Sequence, residues 1–229
     1  MKSIDCTALP LFNGLSPDEQ AMVQKNCRTV TYARGETIFA SGDPAHAFYI
    51  VLSGRMKIFF LQPDGREQIL YIYGAKEFIG GLNVLNDTPF IYNAQALEET
   101  MVAHVDRETF LKLVKQNASI HKALMEQLWN RLRWAEALIG RLSTADAETR
   151  VGRLLLDLIP QYGTQTAKGM WLALTVTQDE MGGLTGLSRE TVTRQLRRLS
   201  DDGLIRMERG KGILIQDLER LESHCRAID

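Results

Sequence analysis

The pattern of apolar and polar positions changes twice along the chain, and the first change predicts a β-rich segment. Between residues 30 and 105, short runs of β-branched and aromatic residues alternate with glycine, proline, serine and aspartate. Such runs, separated by turn residues at regular intervals, are typical of an antiparallel sandwich or barrel. The expected strands are residues 30–32, 37–39, 47–52, 55–61, 68–72 and 101–105, with a hairpin tip at Asp64 and Gly65.

Helical periodicity lies on both sides of this segment. Residues 10–26 are expected to be helical, with Ser16 as the N-cap and Pro17 in the first turn. Residues 107–142 are also helical in pattern, with a short helix supported by Phe110, Leu111 and Val114 and then a long helix with an apolar stripe. The stripe comprises Leu124, Leu128, Leu132, Ala135, Leu138, Ile139 and Leu142. A further helix, about residues 145–159, is expected to be capped by Ser143 or Thr144 and to stop at Pro160 and Gly163.

A helix-turn-helix pattern runs from Thr177 to Leu204. Thr177 and Glu180 have the spacing of a capping box, which predicts the start of a first helix. A break at residues 185–187 contains Gly186, and glycine adopts positive φ at little cost. Ser188 then caps a second helix that extends to about residue 202, and Gly203 follows its end.

The second helix has an apolar face and a polar face. Val192, Leu196 and Leu199 share the first, whereas the second carries Glu190, Thr193, Arg194 and Arg197. Arginine forms bidentate hydrogen bonds with guanine and contacts phosphates, so this face suits a DNA major groove. The alternative is an ordinary amphipathic surface helix whose charges are only solvated.

Two features favour the DNA-binding interpretation. A hairpin pattern follows at once, with strands at residues 204–207 and 213–215, and it predicts a wing with Arg209 and Lys211 at its tip. Residues 188–212 hold seven Arg or Lys against four Asp or Glu, whereas the whole chain has a net charge of −1. A groove-reading helix often acts in a two-fold dimer. We therefore expect the apolar stripe of the long helix to pair with the same helix of a second copy, as in a two-stranded coiled coil. The alternative is that the domains of the same chain bury the stripe.

Composition excludes several other classes of protein. The 229 residues are 45% hydrophobic and 24% charged, no apolar run reaches membrane-spanning length, and the N-terminus lacks a signal-peptide core, so we expect a cytoplasmic protein. Cys6, Cys27 and Cys225 are too few and too distant for a disulfide framework or a compact zinc site. No nucleotide-binding loop or nucleophile motif occurs, and we therefore expect no enzymatic activity.

Several motifs together resemble the Crp-Fnr superfamily of bacterial transcription regulators, over nearly the whole length. They are the glycine-containing segments 35–36, 42–43, 49–54, 64–67 and 78–80, and the sequence Ser-Arg-Glu-Thr-Val-Thr-Arg at residues 188–194. The resemblance implies an α+β fold with an N-terminal antiparallel β-roll at residues 1–115. A dimerisation helix with a hinge at 116–143 and a winged helix-turn-helix at 144–229 would follow.

The resemblance also implies a homodimer on a palindromic double-stranded DNA site, contact with RNA polymerase, and no membrane association. Arg189, Glu190 and Arg194 match the residues that read a TGTGA-type half-site in that family. The expected DNA contacts are Ser188, Arg189, Glu190, Thr193, Arg194, Arg197, Arg209 and Lys211. The rival interpretation is an effector-binding regulatory subunit that acts through protein contacts, although such a protein has no need of Arg189 and Arg194 in this register.

The effector site departs from the family pattern. Cyclic-AMP receptors carry a Glu for the ribose and an Arg-Ser pair for the phosphate, and here Gly81, Ile91 and Tyr92 occupy those positions. Ala135 and Glu136 occupy the positions that meet the adenine. Since a buried phosphate without a cation is costly, we expect an effector other than cyclic AMP. An iron–sulfur cluster is not expected either, because that branch uses four cysteines.

The expected effector pocket is largely apolar and consists of Gly80, Gly81, Leu82, Phe90, Ile91, Tyr92 and Trp134. A small organic molecule or a haem that senses a gas would suit such a pocket. For a haem, candidate axial ligands are His46, His104, His121, Cys27 or a methionine. The alternative is that each histidine is an ordinary residue without a metal and that the apolar residues are only the core of the roll.

Overall fold

The computed structural model describes residues 9–143, 146–173, 176–208 and 212–226. Contacts divide the chain into two compact units. The first contains the residues up to Leu61 together with Leu70–Arg131, and the second contains Gln62–Ile69 together with the residues from Leu132 onwards. In the second unit, Nε2 of Gln68 donates a hydrogen bond to the carbonyl of Gly183 at 2.7 Å.

The first unit is built on two four-stranded sheets. One has the strand order β1-β8-β3-β6 and the other β2-β7-β4-β5. The strands are β1 (Cys27–Tyr32), β2 (Thr37–Phe39), β3 (Ala47–Ser53), β4 (Met56–Leu61), β5 (Glu67–Tyr73), β6 (Phe78–Ile79), β7 (Asn93–Ala96) and β8 (Thr100–Asp106). The pairings of β8 with β1 and β3, and of β7 with β2 and β4, are antiparallel, so the predicted antiparallel roll is confirmed.

Aromatic and aliphatic side chains fill the space between the two sheets. The rings of Phe39 and Phe90 stack with their centroids 3.8 Å apart, and those of Phe48 and Phe110 lie 4.3 Å apart. Such pairs contribute beyond the burial of their apolar area. This core extends to Phe12 and Leu124, and the long helix is therefore anchored to the roll at its N-terminal half.

The helices of the first unit differ from expectation at the N-terminus. The predicted helix over residues 10–26 is instead a 3₁₀ turn at Pro10–Phe12 followed by α1 (Pro17–Asn26), with Ser16 and Glu19 forming a capping box. A short helix that the sequence did not predict, α2 (Gly81–Asn86), follows Gly80, whose φ is +92°. Then come α3 (Arg107–Gln116) and the long helix α4 (Ala118–Ser143).

The second unit contains the helix-turn-helix and a four-stranded sheet with the order β11-β12-β10-β9. Its elements are α5 (Ala147–Tyr162), β9 (Gly163–Thr166), β10 (Gly169–Leu172), α6 (Gln178–Thr185), α7 (Arg189–Asp201), β11 (Ile205–Glu208), β12 (Gly212–Ile215) and α8 (Leu218–Arg226). The predicted helix-turn-helix and the two strands of its wing are confirmed. β9 and β10 extend the wing into a larger sheet.

Two predictions about α5 are wrong. Ser143 does not cap it, because Ser143 is the last residue of α4 and its hydroxyl donates to the carbonyl of Gly140. Asp146 is the cap, with its carboxylate accepting from the Thr149 amide at 2.7 Å. Pro160 does not end the helix, which continues to Tyr162, whereas the other expected stop, Gly163, is its C-cap. Proline within the last turn removes one hydrogen bond but leaves the preceding turns intact. Thr144 lies outside the described residues.

Within the described parts of the chain, no helix combines the length and the apolar character needed to cross a bilayer.

Candidate functional site

Local interactions fix the angle between α6 and α7. Thr177 and Glu180 form the predicted capping box at the start of α6. Gly186 ends this helix with φ +68°, and its amide bonds to the carbonyl of Gly182. A Cβ at Gly182 would stand 2.7 Å from the carbonyl oxygen of Leu187, so the chain approaches itself too closely for a side chain there. The tight turn follows from these two glycines.

α7 presents one face to the core and one to solvent. Ser188 caps it by accepting from the Thr191 amide at 3.2 Å. Val192, Leu196 and Leu199 are fully buried. An open groove on the opposite face is lined by Arg189, Glu190, Thr193, Arg194 and Arg197. The helix is therefore held by its apolar face while a row of three arginines and one carboxylate remains accessible.

Two of the groove residues, Thr193 and Arg189, make contacts with side chains at the start of α6. The Thr193 hydroxyl lies 2.7 Å from Oε1 of Gln178 and 2.9 Å from the carbonyl oxygen of Arg189. Nη1 of Arg189 lies 3.8 Å from the Asp179 carboxylate, and both side chains are mostly exposed. Exposed pairs of this kind contribute little energy, so the guanidinium exchanges this partner for another at small cost.

The structure brings together most of the predicted DNA contacts. Ser188 and the five groove residues lie at the start and along the outer face of α7. Arg209 and Lys211 fall outside the described residues. Gln178 was not predicted, although it bonds to Thr193; its place as the first residue of α6, next to the cap, was the available signal.

The residues predicted to line the effector pocket differ in burial, and they do not all belong to the same unit. Gly80, Gly81, Phe90 and Tyr92 are buried in the first unit, and a Cβ at Gly80 would lie 3.5 Å from the Phe90 ring. Leu82 and Ile91 are exposed, Ile91 by 64%. Trp134 belongs to the second unit, where its ring packs against the Arg141 guanidinium at 5.0 Å.

A cation that the sequence did not single out lies among these buried residues. The guanidinium carbon of Arg131, on α4, is 5.9 Å from the ring centroids of both Tyr73 and Tyr92. Arg131 falls seven residues after Leu124, a core residue on the same helix face. That periodicity was the signal that this arginine points into the roll.

The candidate haem ligands differ in accessibility. His46 and His121 are exposed. His104 is half-buried, and its Nε2 lies 3.1 Å from the hydroxyl of Tyr32. Burial, with Arg28 nearby, lowers the pKa of His104 to about 4. No cluster of three or more metal-ligating side chains exists in the described residues. None of these observations favours haem, which stays a prediction of the sequence.

Comparison with known proteins agrees with this architecture. Residues 29–117 match the cyclic nucleotide-binding domain, and residues 149–224 match the Crp-like helix-turn-helix domain. The CRP-like cAMP-activated global transcriptional regulator of Mycobacterium tuberculosis is 34% identical over 216 residues, which cover 94% of this chain and 96% of that protein. The cyclic AMP receptor protein of Thermus thermophilus is 32% identical, with 88% and 90% covered.

A solved structure is similar over the same range. FixK2 from Bradyrhizobium japonicum superposes with a TM-score of 0.72 and 26% identity, covering 86% of this chain and 96% of that one. Both domain matches and the full-length relatives point the same way. The chain belongs to the CRP/FNR family of DNA-binding transcription regulators.

Proposed function

We propose that this regulator binds a palindromic DNA site as a homodimer, with one α7 helix in each major groove. A small effector other than cyclic AMP, held in the β-roll, controls this binding. The observation that carries the proposal is the open groove on α7, in which Arg189, Glu190 and Arg194 are accessible while the opposite face is buried. A protein-docking subunit, the alternative function, has no need of this array.

The groove chemistry matches base edges. Each arginine is able to donate two hydrogen bonds to O6 and N7 of guanine, and Glu190 is able to accept one from the amino group of cytosine. Arg197 lies further along the helix, where a cation meets the phosphate backbone. Thr193, another expected DNA contact, also donates a hydrogen bond to Gln178, which helps to hold the start of the helix.

Selection of binding sites from random DNA, followed by base substitution, tests this proposal. Arg189→Ala should lose about 1–3 kcal/mol of discrimination at one guanine of the selected half-site. Arg198→Ala is the matched control, because Arg198 lies on the same helix outside the groove, beside Glu148. If Arg189→Ala retains the wild-type ratio between the selected and the guanine-substituted site, the proposed register of readout is wrong.

The long helix offers a seam for the second copy. Met125, Trp129, Leu132 and Ile139 are all exposed, Trp129 by 61%, and they recur at steps of four, three and seven residues. This is the a/d spacing of a two-stranded coiled coil. Leu124 and Leu138, part of the predicted stripe, are instead buried. The proposed seam therefore keeps Leu132 and Ile139 of that stripe and adds Met125 and Trp129 in place of the buried residues.

We exclude cyclic AMP because of the residues that occupy the positions of its usual Glu, Arg and Ser contacts. A Cβ at Gly81 would lie 3.2 Å from both Leu124 and Phe110, so this position faces apolar core and supplies no carboxylate for a ribose. Ile91 supplies no cation. Calorimetric titration with cyclic AMP and cyclic GMP should therefore show no binding in the micromolar range. Micromolar binding of either nucleotide that also strengthens operator affinity would refute this part of the proposal.

A further inference from the structure

We propose that Asn13 is a site of spontaneous chemical modification, at which the side-chain amide is lost and aspartate or isoaspartate takes its place. The site lies in the turn between the 3₁₀ turn at Pro10–Phe12 and α1. The reaction uses only the chain itself and water. This inference is independent of the proposed effector and of DNA readout, and it concerns the segment that packs the N-terminal helix against the roll.

The reaction begins with an attack by the backbone nitrogen of Gly14 on Cγ of Asn13. A bond forms between these two atoms, the bond from Cγ to Nδ2 breaks, and ammonia leaves with the proton of the Gly14 amide. The product is a cyclic imide. Water then opens the ring at one of its two carbonyls. Cleavage of the new bond to Cγ gives aspartate, cleavage of the original peptide bond gives isoaspartate, and no atom is oxidised or reduced in either case.

The attacking nitrogen is accessible. Gly14 is exposed, and within the described residues its amide donates no hydrogen bond. Glycine has no side chain, so nothing on its own Cα hinders the approach of the nitrogen to Asn13. The φ of Gly14 is +93°, a value that other residues rarely adopt, and this turn therefore favours a glycine after the asparagine.

The amide of Asn13 is equally unconstrained. Its side chain is exposed and forms no hydrogen bond with any described residue. An amide that is held by hydrogen bonds must first break them before Cγ is able to rotate towards the next nitrogen. The turn is closed by one bond, from the Leu15 amide to the Phe12 carbonyl at 3.2 Å, and this bond involves neither reacting group.

The other asparagines of the chain are held or hindered. Each of them precedes a residue with a Cβ, which crowds the attacking nitrogen. Two of them, Asn26 and Asn130, lie in α1 and α4, where a regular helical backbone restricts the approach. The rest take part in side-chain hydrogen bonds, namely Asn83, Asn86, Asn93 and Asn117. We therefore expect modification at Asn13 and not at these positions.

The isoaspartate product changes the length of the chain within the turn. Its main chain runs through Cβ and Cγ, so one extra atom is inserted between Phe12 and Leu15. Both of these residues belong to the core of the roll, where they are only 1% and 6% exposed. A tight turn that is fixed at both ends accepts this atom only if one of the buried side chains moves. Because close-packed cores tolerate such shifts poorly, isoaspartate should destabilise the first unit.

The aspartate product changes only the charge. A Cβ on Gly14 would stand 3.6 Å from Oγ of Ser119, the second residue of α4. The turn thus lies beside the N-terminal end of that helix, where a negative charge is favourable. Aspartate at position 13 should therefore leave the stability of the roll nearly unchanged, and the two products have different consequences.

Incubation of the purified full-length protein, followed by peptide mapping, tests the inference. Samples taken over time at neutral and at mildly alkaline pH would be digested, and mass spectrometry after chromatographic separation would follow both products at Asn13. A synthetic peptide of residues 9–18, which lacks the fold, serves as the reference for the rate. We expect both products to accumulate in the protein on the time scale of the peptide. Accumulation should be faster at the higher pH, because the attacking nitrogen must lose its proton, and heavy-oxygen water should label the products.

Variants separate the reaction from its consequences. Asn13→Gln keeps an amide but adds a methylene that disfavours ring closure, so the modified peptide should be lost. Asn130→Gln, exposed on α4, is the matched control and should react at Asn13 as the wild type does. Asn13→Asp supplies the charge without the inserted atom and should unfold at the temperature of the fresh wild type. Wild-type protein enriched in isoaspartate by incubation should unfold at a lower temperature.

Several results would overturn the inference. If the free peptide reacts while Asn13 of the folded protein does not, the turn protects the amide. Modification of the other asparagines at the same rate, or an unchanged yield in Asn13→Gln, would equally contradict the assignment. None of these results bears on the reading of DNA by Arg189 or on the identity of the effector.

Discussion

At the scale of single residues, His104 couples the stability of the roll to pH. Its ring stacks on Tyr32 with centroids 6.1 Å apart and meets the edge of Tyr49 at 4.8 Å. Burial, together with the charge of Arg28, lowers the pKa of His104 from 6.5 to about 4. The folded protein therefore holds this ring neutral under conditions in which the unfolded chain would protonate it.

The sign of the resulting pH dependence follows directly. Above pH 6.5 the ring is neutral in both states, but between 6.5 and about 4 the unfolded state binds the additional proton. The free energy of unfolding of the roll should therefore decrease as the pH falls through this range. Chemical denaturation of His104→Gln should show a flatter dependence, whereas His121→Gln, exposed on α4, should follow the wild type. A parallel dependence in both variants would contradict the assignment.

The second unit contains a buried ion pair. Arg141 is almost completely buried, and its Nη1 pairs with the carboxylate of Asp157 on α5. Removing one partner leaves the other charge in a poorly solvating environment. Asp157→Ala should therefore lower the free energy of unfolding by about 3 kcal/mol, measured by denaturant titration. Glu108→Ala, which breaks the exposed pair with Lys112, should cost at most about 0.5 kcal/mol.

At the scale of elements, the caps and turns of the helix-turn-helix were predictable because their causes are local. Thr177, Gly186 and Ser188 act through neighbours at most four residues away, and the structure confirms each of them. The short strands β6, β7, β9 and β10 were not predicted. Ala94 and Ala96 in β7 are buried but lack β-branched side chains, and pairing with β2 and β4 keeps them extended. Such pairing depends on residues far along the chain.

The turn between α6 and α7 gives a test at the same scale. Gly186 has φ +68°, and a Cβ there would stand 3.0 Å from Leu142. Gly203 has nearly the same φ, +69°, with nothing within 4 Å of a Cβ. Gly203→Ala should thus cost only the backbone strain, about 1 kcal/mol, and Gly186→Ala should cost more. If thermal unfolding shows the same loss of stability for both variants, the side chains around Gly186 move aside without a measurable cost.

At the scale of the whole molecule, the two sites differ in how far the sequence determines them. The proposed DNA-reading face lies on a single helix, so periodicity alone grouped Glu190, Thr193, Arg194 and Arg197. The cluster in the roll joins Tyr73 in β5, Tyr92 before β7 and Arg131 in α4. Three segments so distant in sequence come together only through the fold, and no spacing rule indicates their meeting.

The long helix α4 carries both Arg131 and the exposed residues of the proposed seam, Met125, Trp129, Leu132 and Ile139. Leu132→Glu places a charge where the coiled-coil spacing buries a leucine against its twin. The dissociation constant of the dimer should rise at least about 100-fold, corresponding to roughly 2.7 kcal/mol. Sedimentation equilibrium of the 25.8 kDa chain would measure this, together with loss of tight binding to the palindrome. Asn130→Glu, exposed but outside the seam, should remain dimeric. A wild-type chain that stays monomeric at micromolar concentration, with and without DNA, would eliminate this helix as the dimer interface.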